Sequence, residues 1–236
     1  MALVGDSQKP STLYVGTWRV WRTTNGAETW EPLPTTTTDG STWPPNGRIR
    51  TIAVAPSDSS TLMVTINELS TLTPSIFRST DGGRTWIDVT GNVRLSPRYV
   101  INVAIDPRDP KIAYVTLAGY RPNRVWKTTD GGMTWEARAD GLPTFPVPRL
   151  RIDPTDSNVL YCATQAGIFR STDAGMTWSR FGTGLPNVEV DDVSILKDGS
   201  TLRIGTYGRG AWELDVPPLP NSHHRIRRFG VGSRYR

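Results

Sequence analysis

The chain has 236 residues, 36% of them hydrophobic, and a formal charge of +5 from 27 basic and 22 acidic residues. This length suffices for a sizeable core, and no stretch is long and apolar enough for a membrane span or a signal peptide. Five of the basic residues are arginines in the last twenty positions, so the rest of the chain is neutral and nucleic-acid binding is not indicated. The single Cys162 lies in an apolar run, which excludes a disulfide framework and favours a buried, unreactive thiol.

The predicted elements are short strands separated by turns. "MALVGDSQKPSTLYVGTW" at residues 1–18 offers at most a stub of a first strand in "MALV", followed by a second apolar run. Three later stretches each read as strand, acidic proline turn and strand, as in "NVAIDPRDPKIAYVTL"; they are residues 51–66, 102–117 and 149–164. A third strand, a Gly-rich turn and a fourth strand then follow, as in "IFRSTDGGRTWIDVT". A last unit at 191–216 shows three strands and ends before any such turn.

The Gly-rich turn recurs through the chain, which predicts a repeat architecture. Its copies are "TTNGAETW", "STDGGRTW", "TTDGGMTW" and "STDAGMTW", at residues 23–30, 79–86, 128–135 and 171–178, and we call them the tryptophan turns. Units of roughly 40 to 50 residues with four short antiparallel strands are typical of propeller blades.

Each tryptophan turn has a structural rather than a catalytic explanation. The acid at its third position accepts backbone N–H groups that lack ladder partners, and the glycine permits a positive φ. The closing tryptophan packs on the neighbouring blade, and its N–H finds an edge partner. The acid positions are Asn25, Asp81, Asp130 and Asp173, and the tryptophans are Trp30, Trp86, Trp135 and Trp178. The same structural role is predicted for the proline turns that contain Asp106 and Asp153.

These turns resemble the Asp-box, or bacterial neuraminidase repeat, of sialidase-like β-propellers, and "GTYGRGAWEL" resembles the closing segment of large bacterial proteins of this repeat class. The resemblance covers four of five units, roughly residues 11–216. It implies an all-β propeller of about five four-stranded blades, incomplete or part of a larger ring. Family members are often secreted, periplasmic or surface-associated. The repeat occurs in sialidases, xyloglucan-degrading glycosidases, sortilin-type receptor domains and photosystem assembly factors, so it does not select an activity.

The predicted domain organisation is a propeller over residues 1–216 followed by a basic, proline-led tail over 217–236 that is flexible or docks on a partner. The predicted blades are residues 1–43, 44–92, 93–141, 142–184 and 185–216. A propeller needs its last blade completed, and three solutions are open. "HHRIRRFGV" folds back as the missing strand, other blades come from another chain, or the chain is a fragment or shortened relative of a larger protein. The abrupt start favours the last of these.

Strands that alternate in direction sort the loops onto two sides, and the side without tryptophan and proline turns is the predicted ligand face. Its candidate residues are Arg48, Arg50, Arg98, Arg149, Arg151, Trp18, Tyr120, Tyr207 and Arg209. The guanidinium groups could clamp a carboxylate while the aromatic rings stack on sugars. The favoured alternative is that the arginines pair with acids of the rim, namely Glu189, Asp191 and Asp192. Counted from the turn prolines, Arg48 and Arg50 lie on even positions and the other strand arginines on odd ones, so strand alternation predicts that they point differently.

Catalytic groups are not recognisable in the sequence. The resemblance to sialidases would require an Arg-Ile-Pro-like start of the first blade, a catalytic acid there and a later Tyr/Glu pair, and none of these is found. A xyloglucanase-type site needs two facing carboxylates, for which only Glu68 and Asp191 or Asp192 are available. Cys/His clusters, phosphate-binding glycine loops and EF-hand patterns are absent, so no metal, cofactor or nucleotide site is predicted.

The sequence therefore predicts a non-catalytic binding or scaffolding module that presents loops to a protein or glycan partner, with homo- or hetero-oligomerisation through an open blade edge. One alternative is a glycoside hydrolase, sialidase-like or xyloglucanase-like, or an inactive remnant of one. Another is an assembly subunit whose basic tail docks on an acidic partner.

Overall fold

The fold consists of five four-stranded antiparallel sheets, each built from four consecutive strands of the chain. It is seen in a computed structural model that describes residues 2–44, 47–68, 73–95, 99–185, 187–216 and 226–228. We number the sheets as blades 1 to 5. This arrangement confirms the predicted all-β fold of five four-stranded blades.

The strand bounds follow the repeat. Blade 1 holds β1 (Ala2–Gly5), β2 (Leu13–Gly16), β3 (Val20–Thr23) and β4 (Glu31–Pro32). Blade 2 holds β5 (Gly47–Ala55), β6 (Asp58–Glu68), β7 (Pro74–Ser79) and β8 (Ile87–Asp88), and a 3-10 helix (Gly91–Leu95) follows it. Blade 3 holds β9 (Val100–Ile105), β10 (Ala113–Leu117), β11 (Val125–Thr128) and β12 (Glu136–Ala137). Blade 4 holds β13 (Arg149–Ile152), β14 (Leu160–Thr164), β15 (Gly167–Ser171) and β16 (Ser179–Arg180). Blade 5 holds β17 (Val190–Ile195), β18 (Thr201–Thr206), β19 (Gly210–Asp215) and β20 (Ile226–Arg228).

The hydrophobic core lies between blades rather than within them. Every residue of β10 and of β14 is buried, because both faces of these strands are covered by other blades. This explains why "AYVTL" and "LYCAT" are almost continuously apolar instead of alternating. Cys162 is buried within β14, as predicted, and burial raises the pKa of its thiol.

Four hydrophobic clusters each join two consecutive blades. Between blades 2 and 3, Met63 and Ile76 pack with Val103 and Val115. Among the described residues, none of these clusters combines blade 1 with blade 5.

Buried amide side chains connect adjacent blades near the axis of the fold. The side chain of Asn67 in blade 2 donates to the backbone oxygen of Val100 at 3.1 Å and accepts from its N–H at 3.2 Å. Asn102 in blade 3 accepts the N–H of Leu150 in blade 4 at 2.9 Å. These bonds satisfy innermost-strand groups that would otherwise be buried without partners.

The tryptophan turns of blades 2, 3 and 4 share one hydrogen-bond pattern. In blade 3, the carboxylate of Asp130 accepts the N–H of Thr134 at 3.0 Å and its hydroxyl at 2.6 Å, while Thr128 donates to it at 2.7 Å. Hydrogen bonds from the side chain and backbone of Thr134 hold the pKa of Asp130 at about 2. In the first copy, Asn25 accepts the N–H of Thr29 at 3.1 Å and donates its amide to the Thr29 hydroxyl at 2.9 Å. The asparagine thus reproduces the turn by donating where the aspartate accepts.

The closing tryptophans fasten each blade to the one before it. The indole N–H of Trp86 donates to Pro34 O at 3.0 Å, that of Trp135 to Val89 O at 2.8 Å, and that of Trp178 to Arg138 O at 2.9 Å. All three indoles are buried, whereas Trp30 in blade 1 is only half-buried.

Blades 1 and 5 have more paired strand than the sequence predicted. The first strand was predicted as a stub at most, but β1 pairs with β2 along its whole length, from Ala2 opposite Gly16 to Gly5 opposite Leu13. The fifth blade, predicted with three strands, has β20 as a fourth, which pairs with β19 as expected if "HHRIRRFGV" folds back. In both places a neighbouring strand supplies the hydrogen-bond partners of the short strand, and the few residues of that strand do not reveal this pairing by themselves.

Candidate functional site

A channel of about 690 Å³ runs along the axis of the fold, and the innermost strands or adjoining turns of all five blades line it. Its charged lining residues are Arg50, Arg149, Arg151 and Lys197. Arg149 begins β13, whereas Lys197 lies in the turn after β17, beside the proline turns at the opposite end. The cations therefore extend along the channel from one end to the other.

Two of these arginines stand together on β13. The Nε of Arg149 forms an ion pair with Asp192 of blade 5 at 2.9 Å, and Asp192 also accepts the N–H of Val193 at 2.9 Å. Arg151 donates only to the backbone oxygen of Leu150, at 3.3 Å, among the described residues. Burial, and then the neighbouring charge of Arg149, lower the pKa of Arg151. Asp192 therefore forms an ion pair with Arg149 and, through its charge alone, also acts on Arg151.

Arg50 reaches the same channel because β5 contains a bulge. The pairing of β5 with β6 shifts between Ile49 and Thr51, so Arg50 has no directly opposed partner. A bulge changes which face the following side chains occupy. Strand alternation predicts that Arg50 points differently from Arg149 and Arg151, yet all three line one channel. Arg48 is exposed outside the lining, and Arg98 lies outside the described residues.

The predicted aromatic residues lie on exposed turns at one end of the molecule. Trp18, Tyr120 and Tyr207 are 68%, 63% and 76% exposed, in the turns between the second and third strands of blades 1, 3 and 5. Arg209 is also exposed in the last of these turns. The opposite end holds the tryptophan and proline turns, which a hydrogen bond from Gly131 N to Lys111 O links within blade 3. The predicted sorting of loops onto two sides is thus observed, with the aromatic residues on the rim rather than in the channel.

Sequence reasoning missed Lys197 and Asn102, which also line the channel. Aligning the turns after the innermost strands would have shown Lys197, because it stands where the other blades have Pro107 and Pro154. The two acids of the predicted pair lie on different blades. Glu68 ends β6 in blade 2, whereas Asp192 lies in blade 5 and forms an ion pair with Arg149.

Among the described residues, no three His, Cys, Asp or Glu side chains cluster in a way that could hold a metal ion. No helix in the same part of the chain is long and apolar enough to cross a membrane.

Five blades around a common channel define a β-propeller protein. Neither a family model nor a curated protein matches the sequence. Among solved structures, an ancestral GH74 enzyme is similar with a TM-score of 0.72 and 17% identity, over 95% of this chain and 30% of that one. The structure of YCF48 bound to D1 peptide is similar with a TM-score of 0.61 and 17% identity, over 91% of this chain and 64% of that one. The Cps50 (Swd1) β-propeller domain from Myceliophteria thermophila has a TM-score of 0.63 and 11% identity, over 94% of this chain and 66% of that one. These similarities concern the fold alone, and this chain spans from 30% to 66% of the lengths of those structures.

Proposed function

We propose that the protein is a non-catalytic binding or scaffolding module that holds an anionic segment of a partner protein at its axial channel. The observation that carries this proposal is the excess of cations there. Arg50, Arg149, Arg151 and Lys197 line one channel, and of these four cations only Arg149 forms an ion pair with another described residue.

The chemistry of the lining favours a carboxylate-bearing ligand. Guanidinium groups offer planar donor forks that match carboxylates, and partial burial strengthens such contacts. A volume of about 690 Å³ suits a short extended segment or a small molecule. The rim aromatics Trp18, Tyr120 and Tyr207 would add apolar contacts outside the channel. That a structural neighbour is YCF48 bound to D1 peptide supports a peptide as the class of ligand.

The proposal is tested by fluorescence anisotropy with a labelled peptide of alternating aspartate and glycine. We expect saturable binding that weakens with salt, because the attraction is between charges. Arg151→Gln should weaken it about tenfold, since a hydrogen bond to a charged group contributes about 1.5–3 kcal/mol. The matched control is Arg84→Gln, which removes the same charge from an exposed position on a tryptophan turn.

Equal losses for Arg151→Gln and Arg84→Gln would mean that the peptide responds only to net charge, and the channel would not be the site. Binding that is unchanged when asparagine replaces aspartate in the peptide would contradict an anionic ligand.

A glycoside hydrolase, or a remnant of one, is the second candidate because GH74 enzymes are among the structural neighbours. In this proposal the rim aromatics bind a glycan and Glu68 acts with Asp191 or Asp192. Release of reducing sugar from xyloglucan, abolished by Glu68→Gln, would support it. Binding of xyloglucan oligosaccharides without hydrolysis would instead support a carbohydrate-binding module.

Two narrower proposals follow, and the turn geometry supports the first of them. We propose that the tryptophan turns are Asp-box repeats, since the acid, the hydroxyls and the indole play one role in three copies. We also propose that the protein acts within an assembly, as either a homo- or a hetero-oligomer. Deletion of residues 217–236 without loss of association would exclude the basic tail as the docking element.

A further inference from the structure

One ion pair at the end of the channel away from the proline turns occupies a cation that the proposed function assigns to a ligand. The Nε of Arg149 in blade 4 donates to Oδ1 of Asp192 in blade 5 at 2.9 Å. The same oxygen accepts the backbone N–H of Val193 at 2.9 Å, which orients the carboxylate. A carboxylate of the chain itself therefore stands where a ligand carboxylate would bind Arg149.

Three acidic residues lie close together at the start of β17, and one of them pairs with a channel arginine. The side chain of Glu189 instead accepts the amide of Gln165 at 3.2 Å. The pairing of β17 with β18 shifts between Val190 and Asp192, so Asp191 has no directly opposed partner. Asp191 also forms no ion pair with another described residue. The chain thus offers two adjacent aspartates that differ in their contact with Arg149.

The ion pair between Arg149 and Asp192 is open to exchange. The two side chains are 33% and 55% exposed, so water can solvate both groups once they separate. Gly205 lies opposite Asp192 on β18 and carries no side chain that would hold the carboxylate in place. Ion pairs at such exposed positions contribute little to stability, so a ligand that brings its own carboxylate can replace Asp192.

A ligand carboxylate would gain a contact that Asp192 lacks. Arg149 and Arg151 are two residues apart on β13, so their side chains leave the same face of the strand about 7 Å apart. Among the described residues, the Arg151 side chain donates only to Leu150 O, at 3.3 Å. Asp192 acts on Arg151 through its charge alone. A carboxylate placed between the two guanidinium groups would contact both and offset their mutual repulsion.

We infer that Asp192 is an internal competitor for the anionic segment and is displaced from Arg149 when that segment binds. This inference rests on the proposed function of the channel. In the unbound chain Asp192 pairs with Arg149, whereas in the complex a ligand carboxylate contacts Arg149 and Arg151 and Asp192 turns to solvent. A neutral ligand cannot replace the lost ion pair, so Asp192 restricts the site to segments that carry a full negative charge.

The test measures binding of the labelled aspartate–glycine peptide by fluorescence anisotropy at about 0.15 M salt, where charges more than about 8 Å apart are largely screened. Asp192→Asn keeps an oxygen that can accept both hydrogen bonds and removes only the charge. It should lower the dissociation constant about fivefold, as expected for release of an exposed ion pair. Asp191→Asn is the matched control, because it removes the same charge from an exposed neighbouring residue. It should change the dissociation constant by less than about twofold.

Asp192→Ala, which removes both the charge and the acceptor, is a second variant and should also tighten binding. Circular dichroism confirms that each variant is folded. Tighter binding separates competition from a merely structural role, since loss of a structural contact would weaken binding. If Arg151→Gln weakens binding while Asp192→Asn weakens it, leaves it unchanged or only matches Asp191→Asn, the inference is wrong and the proposed function stands. If no variant binds the peptide, Asp192→Asn included, the proposed function fails and the inference fails with it.

Discussion

Replacing Trp135 with alanine is expected to lower the free energy of unfolding by about 3–5 kcal/mol. The indole is buried between blades 2 and 3, and its N–H donates to Val89 O at 2.8 Å. A tryptophan side chain removes about 150–250 Å² from water, which at about 25 cal/mol per Å² sets an upper bound of roughly 4–6 kcal/mol. The smaller change Trp135→Phe keeps most of that area but leaves the Val89 oxygen without its donor, at about 1–3 kcal/mol. Urea unfolding followed by circular dichroism measures both changes.

Trp30→Ala is the matched control because Trp30 closes the first tryptophan turn and, among the described residues, belongs to none of the four clusters between blades. It is half-buried, so its loss should cost less than about half the cost of Trp135→Ala. Equal losses would refute the reasoning, because they would show that the turn itself, rather than packing on the preceding blade, sets the contribution of the tryptophan.

Three further predictions concern the same repeat. The pKa of Asp130 is about 2 in the folded chain and about 3.9 when unfolded, so the stabilising effect of its carboxylate is present above pH 4 and is lost as the pH falls toward 2. The melting temperature should therefore fall less between pH 5 and pH 2 in Asp130→Asn, which copies the first turn, than in the unchanged chain. Gly141→Ala should be strongly destabilising, because φ is +81° and a Cβ would lie 2.3 Å from Trp178 O. Gly26→Ala is the control, since Gly26 has a similar φ of +71° but no atom within 4 Å of the added Cβ, and it should cost only about 1 kcal/mol in urea unfolding. Cys162 should react with a thiol reagent only at the rate of unfolding, and fast labelling of the native chain would show that β14 opens locally.

The regular part of the fold could be predicted because its signals are local and repeated. The Gly-rich turn between two β-branched runs fixes the position of a hairpin, and four copies set the blade length. In the second copy, the Asp81 carboxylate accepts the Thr85 hydroxyl and the Trp86 indole donates to Pro34 O.

The parts that were missed depend on contacts between distant segments. Four residues of β1 and three of β20 carry too little periodicity to be recognised without the strands they pair with. The bulge at Arg50 interrupts the pairing of β5 with β6, and the local sequence pattern does not reveal it. The amide bridges of Asn67 and Asn102 are also invisible to a pattern of apolar residues, since they join backbones of different blades.

Every sheet in this protein is formed by strands that follow one another along the chain, and in the described residues no sheet combines the two ends of the polypeptide. Such a molecule behaves as a short one-dimensional array in which each unit is held by its immediate neighbours. Blades 2, 3 and 4 are sandwiched between neighbours, whereas in the part of the chain that the structure describes blades 1 and 5 each share a hydrophobic cluster with a single other blade. Unfolding should therefore begin at blades 1 and 5 and proceed toward blade 3. In hydrogen exchange, the amide hydrogens of β10 should exchange last, and those of β2 and β18 should exchange earlier.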